Sequence, residues 1–540
     1  MVLKDKFKII IFFVTCFLIL SIIVLFPKTN AQDLRKMHEK ELTQTLTQYS
    51  DIHSNEWQQF KDKHITIVFW HHLEADSTNK VFLQEIINKF NKKYPNITVK
   101  EEFKGNWGAI DKNINIALPA NNEPNLIVSY PDFLVNFYES GKLVPLDDFI
   151  ESRNEDIKLF DEKDEKKEHF YPLFEEESQI TLGEGKDKAK KWYSLPFYKS
   201  IELMFYNQTY FKSLRDNKNV EKGDLDELKK LIDDKGKIKP FDEQGKINKQ
   251  FITWEDMKRL CEIIKKIDPQ KVPICYDSES NLFIVSSEQR KITYVEKPDS
   301  DSKLGVYFDN SDSKQMIKEF KQDFIDKGYL TTHLLSGEKY IDSLFCDQKI
   351  LMHINSSKGF EYLSKANFEV GVTACPYWNQ GKNGSSGQRK ALQQGANVNL
   401  FYKKDKDEVL ASWLFLKHLV SQDTSNALFE QKSTFPMRPG YVDEKKIEKY
   451  KTDIKNQDQT PKTQEEKKEL LRKKVLCFIF DERKQEYDTK QPVYFFSPVF
   501  QRSYIARIVV NKLVVECFLE KELDKNIDKL FKLAQEQALS

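Results

Sequence analysis

The feature that most constrains this chain is a run of alternating apolar periods between His64 and Tyr130. Ile65, Ile67 and Phe69 alternate with Thr66, Val68 and Trp70, which predicts a largely buried strand over His64–Trp70. Leu83, Ile86, Ile87, Phe90 and Tyr94 then fall on one helical face, which Pro95 stops. Ile97–Phe103 reads as a second strand, Ala109–Leu118 as a short helix and Asn125–Tyr130 as a third strand. Asp132 is placed to cap the helix that follows. Strand, helix, strand, helix, strand means βαβ units, so the fold class is α/β, a mostly parallel sheet with helices on both faces.

The same signal resumes further on. Strands are expected at Trp192–Phe197, Leu203–Tyr206, Val272–Tyr276, Ile350–Ile354, Phe368–Pro376 and Val398–Tyr402. Helices are expected at Trp254–Ile267, Lys314–Leu330 and Asp407–Val420. Between them, near 151–191, 215–248 and 443–490, the chain is charge-dense and reads as solvated insertions or long loops. No internal repeat is visible. With 540 residues the chain can build two or more sizeable cores. Lys+Arg 85 against Asp+Glu 84 leaves a formal charge of +1, so no global field points to a nucleic-acid partner.

The N-terminus is informative. Lys4, Lys6 and Lys8 precede an apolar run from Ile9 to Phe26, followed by Pro27, Lys28 and the small Ala31. Residues 1–31 therefore read as an export signal or a membrane anchor, and either places the remaining chain outside the membrane. Cys16, inside the run, lacks the surroundings of a lipid-attachment site. Residues 32–63 are polar and read as a stalk.

Cys261, Cys275, Cys346, Cys375, Cys477 and Cys517 are scattered, without a CxxC pair or a His at zinc spacing, and read as buried free thiols. His71 and His72, adjacent on a strand, point to opposite faces and do not share an ion. Neither a metal nor a cofactor is expected. Glu74, Asp76 and Glu202 could be cast as glycosidase carboxylates, but among 84 acidic residues such a pair arises by chance. There is no Ser/His/Asp elbow, P-loop or Rossmann glycine pattern.

Several short pieces occur in a characteristic order. They are Phe69-Trp70-His71, Phe90 to Pro95, Phe103-Lys104-Gly105-Asn106-Trp107, Pro124 to Val128 and Glu139 to Leu146. Then come Leu195 to Ser200, Phe205-Tyr206-Asn207, Asn355 to Gly359, Gln393 to Asn397 and Ala411 to Leu416. In this order, from about His64 to Val442 with a tail near Phe496–Ala538, the chain resembles the family 1 extracellular solute-binding proteins of ABC importers. The resemblance implies a two-lobed periplasmic-binding-protein-like fold, closing like a hinge on a sugar or glycerol-phosphate-type solute. Lobe I would take 64–198 with 369–398, and lobe II 199–368 with 399–540. Crossings would fall near Leu195–Ile201, Glu369–Pro376 and Gln394–Tyr402, with the cleft at the carboxyl ends of the strands.

Within the family the likeness is to glycerol-3-phosphate-binding members. By that match Ser200, Ser356 and the backbone of Gly395 would contact the solute, Arg507 would grip its phosphate, and Trp107 would stand where those members carry an aromatic residue. Thr434 joins this ligand-binding set. Two departures stand out: Pro131 replaces the expected Glu, leaving Asp132 beside it, and of a paired tryptophan only Phe283 remains. The resemblance further implies permease partners, a monomer and no catalysis. The competing functions are a surface adhesin on the same fold and an exported carbohydrate-active enzyme.

Overall fold

Ile65–His71 runs parallel to Ile97–Phe103 and to Leu126–Ser129, as the alternating pattern predicts. The computed structural model describes residues 28–49, 53–73, 77–160, 169–182, 189–238, 252–296, 305–338, 341–432, 434, 436–456, 463–489 and 492–540. The apolar run with Cys16, the carboxylates Glu74 and Asp76, and parts of each charged insertion lie outside the described residues. Among the described residues no helix is long and apolar enough to cross a membrane.

Ten of the described strands form one sheet. Its main path runs Leu330–Thr332, Val272–Tyr276, Ile350–Ser356, Leu195–Asn207, Ala391–Leu400, Leu126–Ser129, Ile65–His71 and Ile97–Phe103, with Val370–Thr373 and Tyr494–Phe496 attached beside it. Leu195–Asn207, 13 residues long, serves both halves. Its first part, Leu195–Ile201, pairs with Val398–Gln393, and Glu202–Tyr206 pairs with Ser356–Met352. Two lobes share this strand. The helix Ser77–Lys93 buries Phe82, Leu83, Ile86, Ile87 and Phe90 against the first, and Trp254–Ile267 buries Trp254, Met257, Leu260 and Ile264 against the second. A capping box between Thr253 and Asp256 starts the latter helix where its sequence places it.

The return segments differ from the expected division. Val370–Thr373 pairs with Asn207–Met204, which puts it in the second lobe. The helix Lys406–Leu419 sets Phe415 5.5 Å from Phe69 and 5.0 Å from Phe90, which puts it in the first. The crossings are therefore Leu195–Ile201, Ala391–Leu400 and Tyr494–Phe496, the last paired with Ala391–Gln393. Sequence order cannot tell which half of a long shared strand a returning segment will join. The expected helix Lys314–Leu330 ends at Phe320, followed by a wide turn, Lys321–Ile325, and the strand Leu330–Thr332.

The expected stalk is not solvated. The helices Lys28–Gln48 and Asn55–Asp62 lie on the first lobe with Leu42, Leu46, Tyr49, Trp57 and Phe60 buried. The charge-dense 443–490 region is also packed. In the helix Gln464–Thr489, Val475, Leu476 and Ile479 are buried, and Glu482 and Arg483 are buried because each has partners. Arg389 Nη2 and the Tyr494 hydroxyl donate to Glu482 Oε2 at 2.5 and 2.9 Å, and Arg483 Nη2 donates to Gln393 Oε1 at 2.6 Å. Parts of the other two insertions pack as well, through Ile157, Phe170 and Phe174 and through Leu228, Ile232 and Ile238.

Candidate functional site

The carboxyl ends of the parallel strands carry a row of rings. His71 ends its strand and turns to Glu101, its Nε2 2.8 Å from Oε2. His72 turns the other way and stacks on Trp107, with ring centroids 3.6 Å apart. Trp107 is held there by its turn. Gly105 adopts a φ of +86°, and a Cβ there would come within 2.7 Å of Ala109 Cβ, so only glycine fits. Asn106 caps the helix Trp107–Ala117 by accepting from the Ala109 N–H at 3.1 Å. The Tyr130 ring lies 4.4 Å from Trp107, and Tyr198 of the shared strand meets His72 edge-on at 5.5 Å. Burial, with His71 and Lys358 nearby, pushes the His72 imidazole down to about 3, so it is a neutral ring at physiological pH.

Beside this row the lobes are joined by polar groups. Asp132 does not cap a helix. It sits in a tight turn, Pro131–Phe133, with Oδ2 3.7 Å from Arg507 Nε. Ser503 donates to the Asp132 carbonyl at 3.0 Å, and Asp132 Oδ1 is buried with no hydrogen-bond partner among the described residues. Arg507 donates to Asn281 Oδ1 at 2.6 Å and to Ser497 Oγ at 3.1 Å. Asn281 Nδ2 and the Tyr276 hydroxyl both donate to Glu202, at 2.8 and 2.9 Å. Burial pushes the Glu202 carboxyl up to about 7 and that of Asp111, further influenced by Asp132, up to about 8. Among the described residues no group of three or more His, Cys, Asp or Glu could hold a metal ion.

Of the residues expected from the sequence, Arg507 and Asp132 meet and Trp107 packs on Tyr130, while Ser200, Ser356 and Gly395 have their own partners. Trp107 and Asp132 flank Tyr130, and Arg507 reaches Asp132 from the helix Ser503–Leu519. Arg507 is engaged by Asp132, Asn281 and Ser497. Ser200 lies on the shared strand opposite Gln394. The Ser356 hydroxyl accepts from the Lys358 N–H at 3.3 Å, and neighbouring Ser357 accepts from the Ile201 N–H at 3.4 Å. Gly395, with a φ of +105°, accepts from Lys199 Nζ at 3.3 Å, and Lys199 is itself ion-paired with buried Glu177. Thr434 is fully buried in the first lobe, beyond the helix Gln422–Lys432. Phe283 is not brought to the cleft. It is fully buried among Tyr294, Phe308 and Phe531, because the helix Glu279–Arg290 turns that position into the second lobe's core.

Sequence reasoning missed His72, Tyr130, Tyr198, Asn281 and Lys358 as cleft residues. The last sits where Ser356-Ser357 drew the attention, and its Nζ lies 3.5 Å from the centre of the Tyr198 ring. The arrangement offers ring faces for the C–H faces of a solute and a few fixed acceptors and donors for its hydroxyls.

The model of the bacterial extracellular solute-binding protein family matches residues 85–456. Among curated protein sequences none matches the chain. Among solved structures, the fold is similar to that of an ABC substrate-binding protein from Listeria monocytogenes in complex with cycloalternan, with TM-score 0.60, 13% identity, and coverage of 88% of this chain and 98% of that one. It is also similar to the GacH receptor of Streptomyces glaucescens, solved with acarbose, at TM-score 0.56, 15% identity, and coverage of 87% and 97%. UgpB from Mycobacterium tuberculosis in complex with glycerophosphocholine matches at TM-score 0.58, 13% identity, and coverage of 88% and 97%.

Proposed function

We propose that this chain, which belongs to the bacterial extracellular solute-binding proteins, captures a sugar or a related polyol between its lobes and delivers it to an ABC permease. The observation that carries this reading is the row His72, Trp107, Tyr130 and Tyr198 at the strand ends, beside a buried Asp132 Oδ1 that has no hydrogen-bond partner among the described residues. Ring faces bind the C–H side of a pyranose or glycerol unit without choosing its orientation. Fixed acceptors such as Asp132 then reject solutes whose hydroxyls miss them, because an unmade buried hydrogen bond is costly. That two of the similar folds were solved with oligosaccharide-type ligands and one with a glycerophosphodiester supports the solute class.

Capture would work by lobe closure about the three shared strands. Arg507 to Asp132 and Lys358 to the Lys432 carbonyl support this reading, since each joins one lobe to the other. On the same reading, residues 1–31 deliver the chain across the membrane or tether it there, and it acts as a monomer without catalysis.

The test is calorimetric titration with maltose, trehalose, glycerol 3-phosphate and glycerophosphocholine, together with an assay for hydrolysis of the disaccharides. Binding of at least one at micromolar concentration, without products, is expected. Hydrolysis, or silence from every solute, would sink the reading.

A further inference from the structure

Three cations stand on or beside the shared strand Leu195–Asn207, and they differ in how completely each is matched. Lys199 is ion-paired with Glu177, both buried. Arg507 lies against Asp132. Lys358, which enters from the end of the strand Ile350–Ser356, has no such partner. Its ammonium meets the Lys432 carbonyl oxygen of the opposite lobe and the face of Tyr198 at 3.5 Å, and among the described residues no carboxylate is within ion-pair reach. Glu361 acts on it only from a distance.

An ammonium carries three donors, and here one is on a carbonyl and the charge rests on a ring face. A half-buried cation so placed remains under-compensated, because a carbonyl and a ring restore only part of its lost hydration. What completes it is an anion arriving with the solute. The surroundings allow this. His72, which approaches Tyr198 from the first lobe, is a neutral ring, whereas burial and the neighbouring Lys432 cation push the Lys358 ammonium well below its ordinary value, so the site favours an anion that would restore its charge. Glu202 is buried at the other end of the row with its carboxyl raised to about 7, so much of its negative charge is withheld near neutral pH.

Resting on the solute-binding reading above, we infer that Lys358 is the specificity-determining residue of the cleft and selects solutes that carry an anionic group, a carboxylate or a phosphate ester, on a sugar or polyol frame. The Trp107 and Tyr198 rings then hold the frame while Lys358 reads the charge. This moves the anion-reading role away from Arg507, which structural partners occupy.

The experiment is calorimetric titration of the full chain with neutral and acidic pairs: glucose and glucuronate, maltose and maltobionate, glycerol and glycerol 3-phosphate. The pairs separate a carboxylate from a phosphate source of the charge. Wild type is expected to bind an acidic member at least about 10-fold more tightly than its neutral partner, an effect that shrinks with added salt. Lys358→Met should weaken the acidic member by about 10- to 100-fold and leave any neutral member within about 2-fold. Lys358→Arg, which keeps the charge and serves if the Met variant fails to fold, should retain the preference. Equal binding of both members, or acidic binding that survives Lys358→Met, overturns the inference while leaving the receptor reading intact. If no member binds to wild type, the receptor reading falls for these solutes and the inference falls with it.

Discussion

Arg507 Nε lies 3.7 Å from Asp132 Oδ2, so a cation on the helix Ser503–Leu519 meets a carboxylate at the end of the first lobe's strand Leu126–Ser129. The same guanidinium donates to Asn281, which in turn donates to Glu202. One arginine thus links the two lobes through a chain of four polar residues. Arg507→Ala leaves Asp132 without its counter-charge and Asn281 Oδ1 without its donor. With the arginine side chain 22% exposed, the expected loss is about 1–3 kcal/mol in urea unfolding. A loss below about 0.5 kcal/mol would show the tie to be a surface pair.

Glu202 gives the account a pH signature. Burial raises its carboxyl from an ordinary 4.5 to about 7, so the folded chain keeps a proton that the unfolded chain releases. Its contribution is fully present below pH 4.5 and is lost as pH rises through about 7, at about 1.4 kcal/mol per pKa unit. Unfolding of wild type and Glu202→Gln from pH 4 to 8 should show the variant gaining on wild type as pH rises. A difference that stays flat across that range contradicts the assignment.

The N-terminal helices are part of the first lobe. Trp57 is fully buried and stacks on Phe60 at 5.3 Å, near Tyr49. Trp57→Ala should cost about 3–5 kcal/mol, read as a lowered urea midpoint. Were the segment a stalk, the substitution would cost nothing measurable.

Gly395 sits at a crossing with a φ of +105°, and a Cβ there would approach Tyr198 O to 2.1 Å. Gly395→Ala should destabilise by about 2 kcal/mol or more, since both strain and a backbone collision oppose it. An unchanged thermal midpoint would mean that the crossing yields more easily than its strand pairing implies.

How far the sequence could be read depended on the range of the interaction concerned. Trp254–Ile267 and Val272–Tyr276 were legible to the residue, because a capping box and apolar periodicity are local signals. The buried helix Gln464–Thr489 was not, since a count of charges cannot reveal that Glu482 meets Arg389 and Tyr494, or that Arg483 meets Gln393. Leu42, Leu46, Trp57 and Phe60 were visible but sparse among polar neighbours, and nothing local announced the surface that covers them. Trp107 and Asp132 were legible through the family resemblance rather than from any local signal. Lys358 was not, because what distinguishes it is a ring 160 positions away in the chain and a carbonyl from the other lobe.

The central claim is that the rings around Trp107 receive a solute. The most direct test is side-by-side titration of wild type and Trp107→Ala with the solute that wild type binds best among maltose, trehalose, glycerol 3-phosphate and glycerophosphocholine, after matching their unfolding midpoints. The account predicts that losing the indole, half-buried between His72 and Tyr130, weakens binding by about 10- to 100-fold while the fold persists. Equal affinity in the two proteins would contradict it and place the solute elsewhere.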